Sequence, residues 1–76
     1  MNCKWTDHIK KQLKERKIPE KYIEEALADP DKIVNGVKKR KIHQKIIGDR
    51  LLRVITDNNI LITAYFTDKI KKYMGE

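Results

Sequence analysis

The segment RLLRVITDNNILITAYFT, from Arg50 to Thr67, constrains the fold most, because two stretches rich in β-branched and aromatic residues flank a turn signal. Successive side chains of a strand point to opposite faces of a sheet, so the length of the turn decides which side chains share a face. The tripeptide Asp57-Asn58-Asn59 is compatible with a turn of two or three residues. The turn length therefore decides where the charged side chain of Arg53 lies.

Two registers are open for this hairpin. A two-residue turn at Asn58-Asn59 would place Arg53 on the strongly apolar face, where an unpaired charge is costly. A three-residue turn places Arg53 on the other face with Thr63 and Tyr65, directly across from Thr63. The residues that then share the apolar face are Leu52, Val54, Ile60, Ile62, Ala64 and Phe66. We favour the three-residue turn because it separates the charge from the apolar side chains.

The preceding turn, Ile47-Gly48-Asp49, receives the same odd length in this interpretation. Its register adds Ile42 and Ile46 to the apolar face, and Gln44 falls there as well. The side chains that join Arg53, Thr63 and Tyr65 on the polar face are Lys41, His43 and Lys45. The predicted polar face therefore presents an imidazole, a guanidinium, a hydroxyl, a phenol and ammonium groups together.

Helices are predicted before the sheet. Thr6 is a candidate N-cap for a first helix of about Asp7 to Arg16. Pro19 suits the first turn of a second helix, which ends at Asp29-Pro30. The two helices form a hairpin with one apolar face that must pack against the sheet.

The order of these elements predicts the α+β class, with the helical hairpin packed on one face of a three- to four-stranded antiparallel sheet. We expect a single domain over residues 1–76. The expected segments are a helical hairpin at about 6–29, an antiparallel meander at about 32–67 and a short C-terminal helix at about 68–74.

Positive charge dominates the composition. The chain has 18 Lys and Arg against 11 Asp and Glu, a net charge of +7. Seven of the basic residues, with only the acid Asp49, fall between Lys38 and Arg53. This local excess indicates a polyanion such as RNA, although a lysine-rich edge strand also prevents aggregation. The residues expected to bind flanking phosphates are Lys38, Lys39, Arg40 and Lys41.

The residue types on the predicted polar face suit phosphodiester cleavage without a metal or a cofactor. Attack of an RNA 2′-hydroxyl on phosphorus needs a base, an acid and cations at the developing charge. We expect His43 or His8 to transfer the proton, and Arg53 and Lys45 to bind the phosphate. Thr63 and Tyr65 would position the substrate. The two histidines and one cysteine do not have the spacing of a metal site.

The strings DHIKKQLKERKIPEKYIEEALADPDKIV, KRKIHQKI, LLRVI and ILITAY resemble a small domain-of-unknown-function family grouped with the barnase–EndoU–colicin–RelE ribonuclease superfamily. The similarity runs from about Trp5 to Thr67. The matching positions are His8, Arg16, Ile18-Pro19, Pro30, Arg53-Val54, Thr63 and Tyr65. The resemblance implies a RelE-like fold and toxin-type, metal-independent RNA cleavage, with a possible cognate antitoxin or inhibitor protein. At the matching positions, His8 is a candidate catalytic residue and Arg16 a candidate RNA-binding residue.

Other readings of the same sequence remain open. The polar face would equally suit a non-catalytic module that binds nucleic acid or a protein partner, and an accessory domain would use its basic strand only for solubility. A single cysteine, no leader-like segment and no long apolar run lead us to expect a cytoplasmic protein that does not cross a membrane.

Overall fold

In the computed structural model, which describes residues 3–75, two helices precede a four-stranded antiparallel sheet and a third, short helix follows it. The elements are α1 (Asp7–Glu15), α2 (Glu20–Ala28), β1 (Lys32–Asn35), β2 (Arg40–Ile47), β3 (Arg50–Asp57), β4 (Ile60–Thr67) and α3 (Ile70–Met74). The strands lie side by side in chain order. The predicted α+β class and the helical pair on one face of the sheet are confirmed.

The ends of the helices follow from local chemistry. The Thr6 side chain accepts a hydrogen bond from the backbone N–H of Ile9 at 3.2 Å, so it is the N-cap that the sequence predicts. After α1, Lys17 has a left-handed φ of 57°, and Pro19 then leads into α2. The apolar stripes of the two helices, with Leu13 and Ile23 among their buried residues, face the sheet.

The predicted three-residue turn between β3 and β4 is wrong, although the face it assigned to Arg53 is correct. The turn has two residues, Asn58 and Asn59, both with positive φ, as such turns require. Pairing then shifts at Ile62, an extra residue that forms a bulge in β4. The bulge changes the parity, so Arg53 lies opposite Tyr65 rather than Thr63, and all three still share one face.

The turn between β2 and β3 also has two residues rather than three, and here no bulge changes the register. Gly48 supplies the positive φ of 65° that the short turn needs. Gln44 therefore pairs with Arg53, and His43 pairs with Val54. The prediction that Lys41, His43 and Lys45 share a face with Arg53 is wrong; the residues that lie with Arg53 are the even-numbered ones of β2.

The two faces of the sheet are covered differently. On the helix-covered face, Leu52, Val54 and Ala64 pack with α1 and α2 in the main apolar core. The opposite face, called the α3 face below, carries Gln44, Arg53 and Tyr65 and is partly covered by α3. Within residues 3–75, no helix is long and apolar enough to cross a membrane.

Candidate nucleic-acid interface

Arg53 lies at the centre of the α3 face and is held by neutral groups. Its Nε donates to Gln44 Oε1 at 2.8 Å, and its Nη1 donates to the Tyr65 hydroxyl. Its guanidinium carbon lies 3.8 Å from the ring centroid of Tyr73, a cation–π contact with α3. We call Gln44, Arg53, Tyr65 and Tyr73 the Arg53 cluster. It fixes the guanidinium in one orientation.

The charge of Arg53 is not neutralised by its neighbours. Within residues 3–75 the two ion pairs join Arg40 to Asp57 and Lys45 to Asp29, and neither includes Arg53. The two hydrogen bonds that Arg53 donates within the cluster use two of the five N–H donors of its guanidinium. A half-buried guanidinium of fixed orientation with donors to spare is suited to binding an anion.

A second arginine reaches the edge of the sheet from α1. Arg16, which follows the last residue of α1, donates from Nη1 to Thr63 Oγ1 at 3.2 Å and to the carbonyl oxygen of Ala64 at 2.7 Å. The hydroxyl of Thr63 in turn donates to Gln12 Oε1 at 2.6 Å. These contacts anchor Arg16 to β4, the last strand of the sheet.

The two arginines therefore contact neighbouring side chains of one strand. Thr63 and Tyr65 are two residues apart on the α3 face, a separation of about 7 Å along a strand. Arg16 binds the first of them and Arg53 binds the second. We call Arg16, Arg53, Thr63 and Tyr65 the β4-edge site. The structure thus brings together four of the residues that the sequence singles out.

His8 flanks this site without being one of its members. It is exposed on α1 and precedes Gln12 and Arg16 by four and eight residues, so the three lie along one side of the helix. The rise of an α-helix separates His8 from Gln12 by about 6 Å along the axis. The exposed imidazole of His8 therefore lies one helical turn from Gln12, whose Oε1 accepts a hydrogen bond from Thr63 of β4.

His43 lies on the other face of the sheet. Its side chain is fully buried, and Nε2 is 3.1 Å from Thr56 Oγ1. Burial, and secondarily the ammonium of Lys41, lowers the pKa of this imidazole below its usual value. The prediction that His43 meets Arg53 is wrong because both the turn and the strand alternation separate them.

The basic run before β3 does not converge on Arg53 either. Lys38 and Lys39 lie in the exposed connection between β1 and β2, and Arg40 pairs with Asp57 at 3.8 Å. Lys41 is exposed on the helix-covered side. Lys45 donates to the carbonyl oxygen of Asp29 at 2.9 Å, just beyond the end of α2. Lys45 thus stabilises a helix C-terminus instead of facing the β4-edge site.

Gln12, Gln44 and Tyr73 contact the site but were missed by the sequence interpretation. Gln44 carries a usable signal, since a two-residue turn at Gly48-Asp49 pairs it with Arg53. Tyr73 is the aromatic residue of the predicted C-terminal helix, but nothing in the sequence shows which face of the sheet that helix covers. Gln12 is one helical turn before Arg16, and that spacing alone connects them.

Metal-binding groups are sparse in the described part of the chain. Among residues 3–75, no three His, Cys, Asp or Glu side chains lie where they could bind one metal ion together. Cys3 is a half-buried free thiol whose pKa is raised by burial, with a smaller opposing effect from the N-terminal amine.

Comparison with known proteins identifies a family. A family model described as Domain of unknown function (DUF4258) matches residues 5–66. A search of the curated proteins found no match. A search of the solved structures also found none. The matched range contains α1, α2 and the sheet as far as Phe66, including all four residues of the β4-edge site. On the strength of this match across most of its length, the chain belongs to the DUF4258 family.

Proposed function

We propose that this protein binds RNA at the β4-edge site and cleaves it there, without a metal ion, by attack of the 2′-hydroxyl on the adjacent phosphorus. One observation carries the proposal. Arg16 from α1 and Arg53 from β3 reach Thr63 and Tyr65, two successive side chains on one face of an edge strand. Two guanidinium groups that bind successive side chains on one face of a strand give one substrate two cationic contacts.

Binding is supported by the charge balance of the site. Each guanidinium is held by hydroxyl, amide or carbonyl groups that leave its positive charge uncompensated. The whole chain carries +7, so its long-range field attracts a polyanion to the surface. Arginine donates to two phosphate oxygens at once, which gives the bound phosphate a defined orientation.

Cleavage requires stabilisation of a phosphorane and two proton transfers. As the 2′-oxygen bonds to phosphorus, its proton goes to a base; as the bond to the 5′-oxygen breaks, an acid protonates that oxygen. The products are a 2′,3′-cyclic phosphate and a 5′-hydroxyl. Arg16 and Arg53 would bear the developing charge on the phosphoryl oxygens. We assign the proton transfers to His8 and Tyr65, because His43 lies on the opposite face of the sheet.

The toxin-type assignment rests on the family resemblance described above, which also implies a cognate antitoxin or inhibitor. Such a protein would neutralise the site most simply by placing carboxylates on Arg16 and Arg53, since both lack acidic partners within residues 3–75. A cytoplasmic location is part of the same proposal, because there the enzyme would meet cellular RNA.

The test is an end analysis of RNA after incubation in EDTA. We expect the wild-type protein to leave 2′,3′-cyclic phosphate ends and to leave a DNA oligonucleotide of the same sequence intact, because DNA has no 2′-hydroxyl. Arg53→Lys retains the charge but loses the forked donor arrangement, and should cleave far more slowly. Arg50→Lys is the matched control, since Arg50 is exposed on the same strand and stacks on Phe66 instead.

A non-catalytic RNA-binding module is the second candidate function. It is favoured by the burial of His43, because that histidine lies on the other face of the sheet and cannot transfer a proton at the β4-edge site. Salt-sensitive RNA binding that Arg53→Lys weakens, with no cleavage by the wild-type protein, would support this module and exclude the enzyme. If the wild-type protein neither binds nor cleaves RNA, both candidate functions are contradicted.

A further inference from the structure

A small basic pocket lies at the other end of the sheet, where the β1–β2 connection approaches the β3–β4 turn. Its volume is about 230 Å³. The lining residues are Lys39, Lys41, His43, Thr56, Asn58 and Asn59. His43 and Lys41 belong to the helix-covered side of β2, so the pocket is separated from Arg53 by the sheet itself.

The imidazole of His43 is incompletely hydrogen-bonded. The side chain is fully buried, Nε2 is 3.1 Å from Thr56 Oγ1, and Nδ1 is a buried atom without a hydrogen-bond partner among the described residues. A buried polar atom that remains unpaired costs free energy, and native structures nearly always supply a partner. When the Thr56 hydroxyl donates to Nε2, Nδ1 carries a proton that no group among the described residues accepts.

The charge and size of the pocket narrow the ligand to a small anion. Among the described residues, its lining contains two ammonium groups and two side-chain amides but no carboxylate. The nearest acid in sequence to this lining, Asp57, is paired with Arg40. The volume lies below the roughly 300–1,000 Å³ typical of sites for drug-sized molecules.

We propose that this pocket binds a phosphate group, either as inorganic phosphate or as a small phosphomonoester, with Lys39 and Lys41 neutralising its charge and His43 Nδ1–H donating to one oxygen. The two asparagines of the β3–β4 turn, both with left-handed backbone conformations, place further amide groups at the rim. The site is independent of the proposed RNA cleavage, because it shares no residue with the β4-edge site.

The test follows the imidazole signals of His43 by NMR while inorganic phosphate is added, with chloride at matched ionic strength as the control. We expect a saturable shift with phosphate and none with chloride. Lys41→Met should weaken binding about tenfold or more, because a charge-assisted hydrogen bond is lost. Lys45→Met, two residues along the same strand, is the matched control and should bind phosphate as the wild-type protein does, because Lys45 is engaged with Asp29.

A parallel titration with glycerol 3-phosphate identifies the form of the ligand. Tighter binding than inorganic phosphate assigns the pocket to phosphomonoesters, and equal or weaker binding assigns it to free phosphate; both support the site. The proposal is overturned if neither compound gives a saturable shift, which would leave only a buried water on Nδ1, or if Lys41→Met and Lys45→Met weaken binding equally. Both lysines are at least partly exposed, so neither variant should prevent folding.

Discussion

Neighbouring residues of β2, Gln44 and His43, belong to two polar regions with opposite properties. Gln44 is part of the Arg53 cluster, where its side chain donates to the backbone of α3 and accepts from Arg53. His43 faces the basic pocket, where one of its two ring nitrogens has no partner within the described residues. In the Arg53 cluster, Gln44 and Arg53 find their hydrogen-bond partners within the protein. In the basic pocket, we propose that Nδ1 of His43 gains its partner only when phosphate binds.

The largest effect, on the rate of RNA cleavage, is expected from substitution of Arg16, which is not part of the Arg53 cluster. Arg16→Ala should reduce RNA cleavage by about a hundredfold, because removing one donor to a developing charge typically has this effect. The exposed Arg16 contributes little to stability, so the thermal midpoint should change slightly. Lys14→Ala, an exposed cation in the last turn of α1, is the control. Equal rates in the two variants would remove Arg16 from the site.

Deleting one hydroxyl from each region compares them directly. Thr56→Val leaves a fully buried imidazole with no partner on either nitrogen among the described residues, and should lower the free energy of unfolding by about 1–3 kcal/mol. Tyr65→Phe should cost less, about 1 kcal/mol, because water can replace the hydroxyl at the half-buried Arg53. Urea unfolding measures both. A larger loss for Tyr65→Phe would reverse the comparison.

The burial of His43 should also affect how the free energy of unfolding depends on pH. The pKa of His43 is lower in the folded protein than the unfolded value of about 6.5, so the unfolded chain takes up the proton first as pH falls. The contribution of the neutral imidazole is therefore complete above about pH 6.5 and is lost as pH falls toward the folded pKa. We expect the free energy of unfolding, measured in urea across this pH range, to depend less steeply on pH in His43→Gln than in the wild-type protein. Parallel slopes would contradict the assignment.

The smallest effect is expected at Lys45, which the sequence interpretation placed on the phosphate. Lys45→Met should lower the free energy of unfolding by about 0.5–1 kcal/mol, because the ammonium no longer reaches the carbonyl at the end of α2. RNA affinity should change only slightly, by the loss of one distant charge. A loss of affinity as large as that of Arg53→Lys would restore Lys45 to the site.

The fold was accessible from the sequence because its determinants are local. The N-cap at Thr6 and the break before Pro19 depend on neighbouring residues, and the alternation within β3 places Arg53 on the face opposite to that of Leu52 and Val54. The class of fold follows from the order of these elements, and the structure confirms it.

The site could be predicted only in part, because an error of one residue in a turn moves every side chain of the next strand to the opposite face. In the β3–β4 hairpin two errors cancelled: the turn is one residue shorter than predicted, and the bulge at Ile62 adds one residue back. In the β2–β3 hairpin nothing compensates the shorter turn, so His43 and Gln44 exchange faces. No local feature of the sequence distinguishes the hairpin with the bulge from the one without it.

The most direct test of the central claim observes the arginine side chains while RNA binds. A short RNA with a 2′-deoxy substitution at each nucleotide that would otherwise be cleaved is titrated into the protein, and the Nε–H signals of all arginines are followed by NMR. The account predicts saturable shifts for Arg16 and Arg53, with those of Arg40 and Arg50 little changed. Shifts confined to Arg40 or Arg50, with Arg16 and Arg53 unmoved, would contradict a substrate site at the edge of β4.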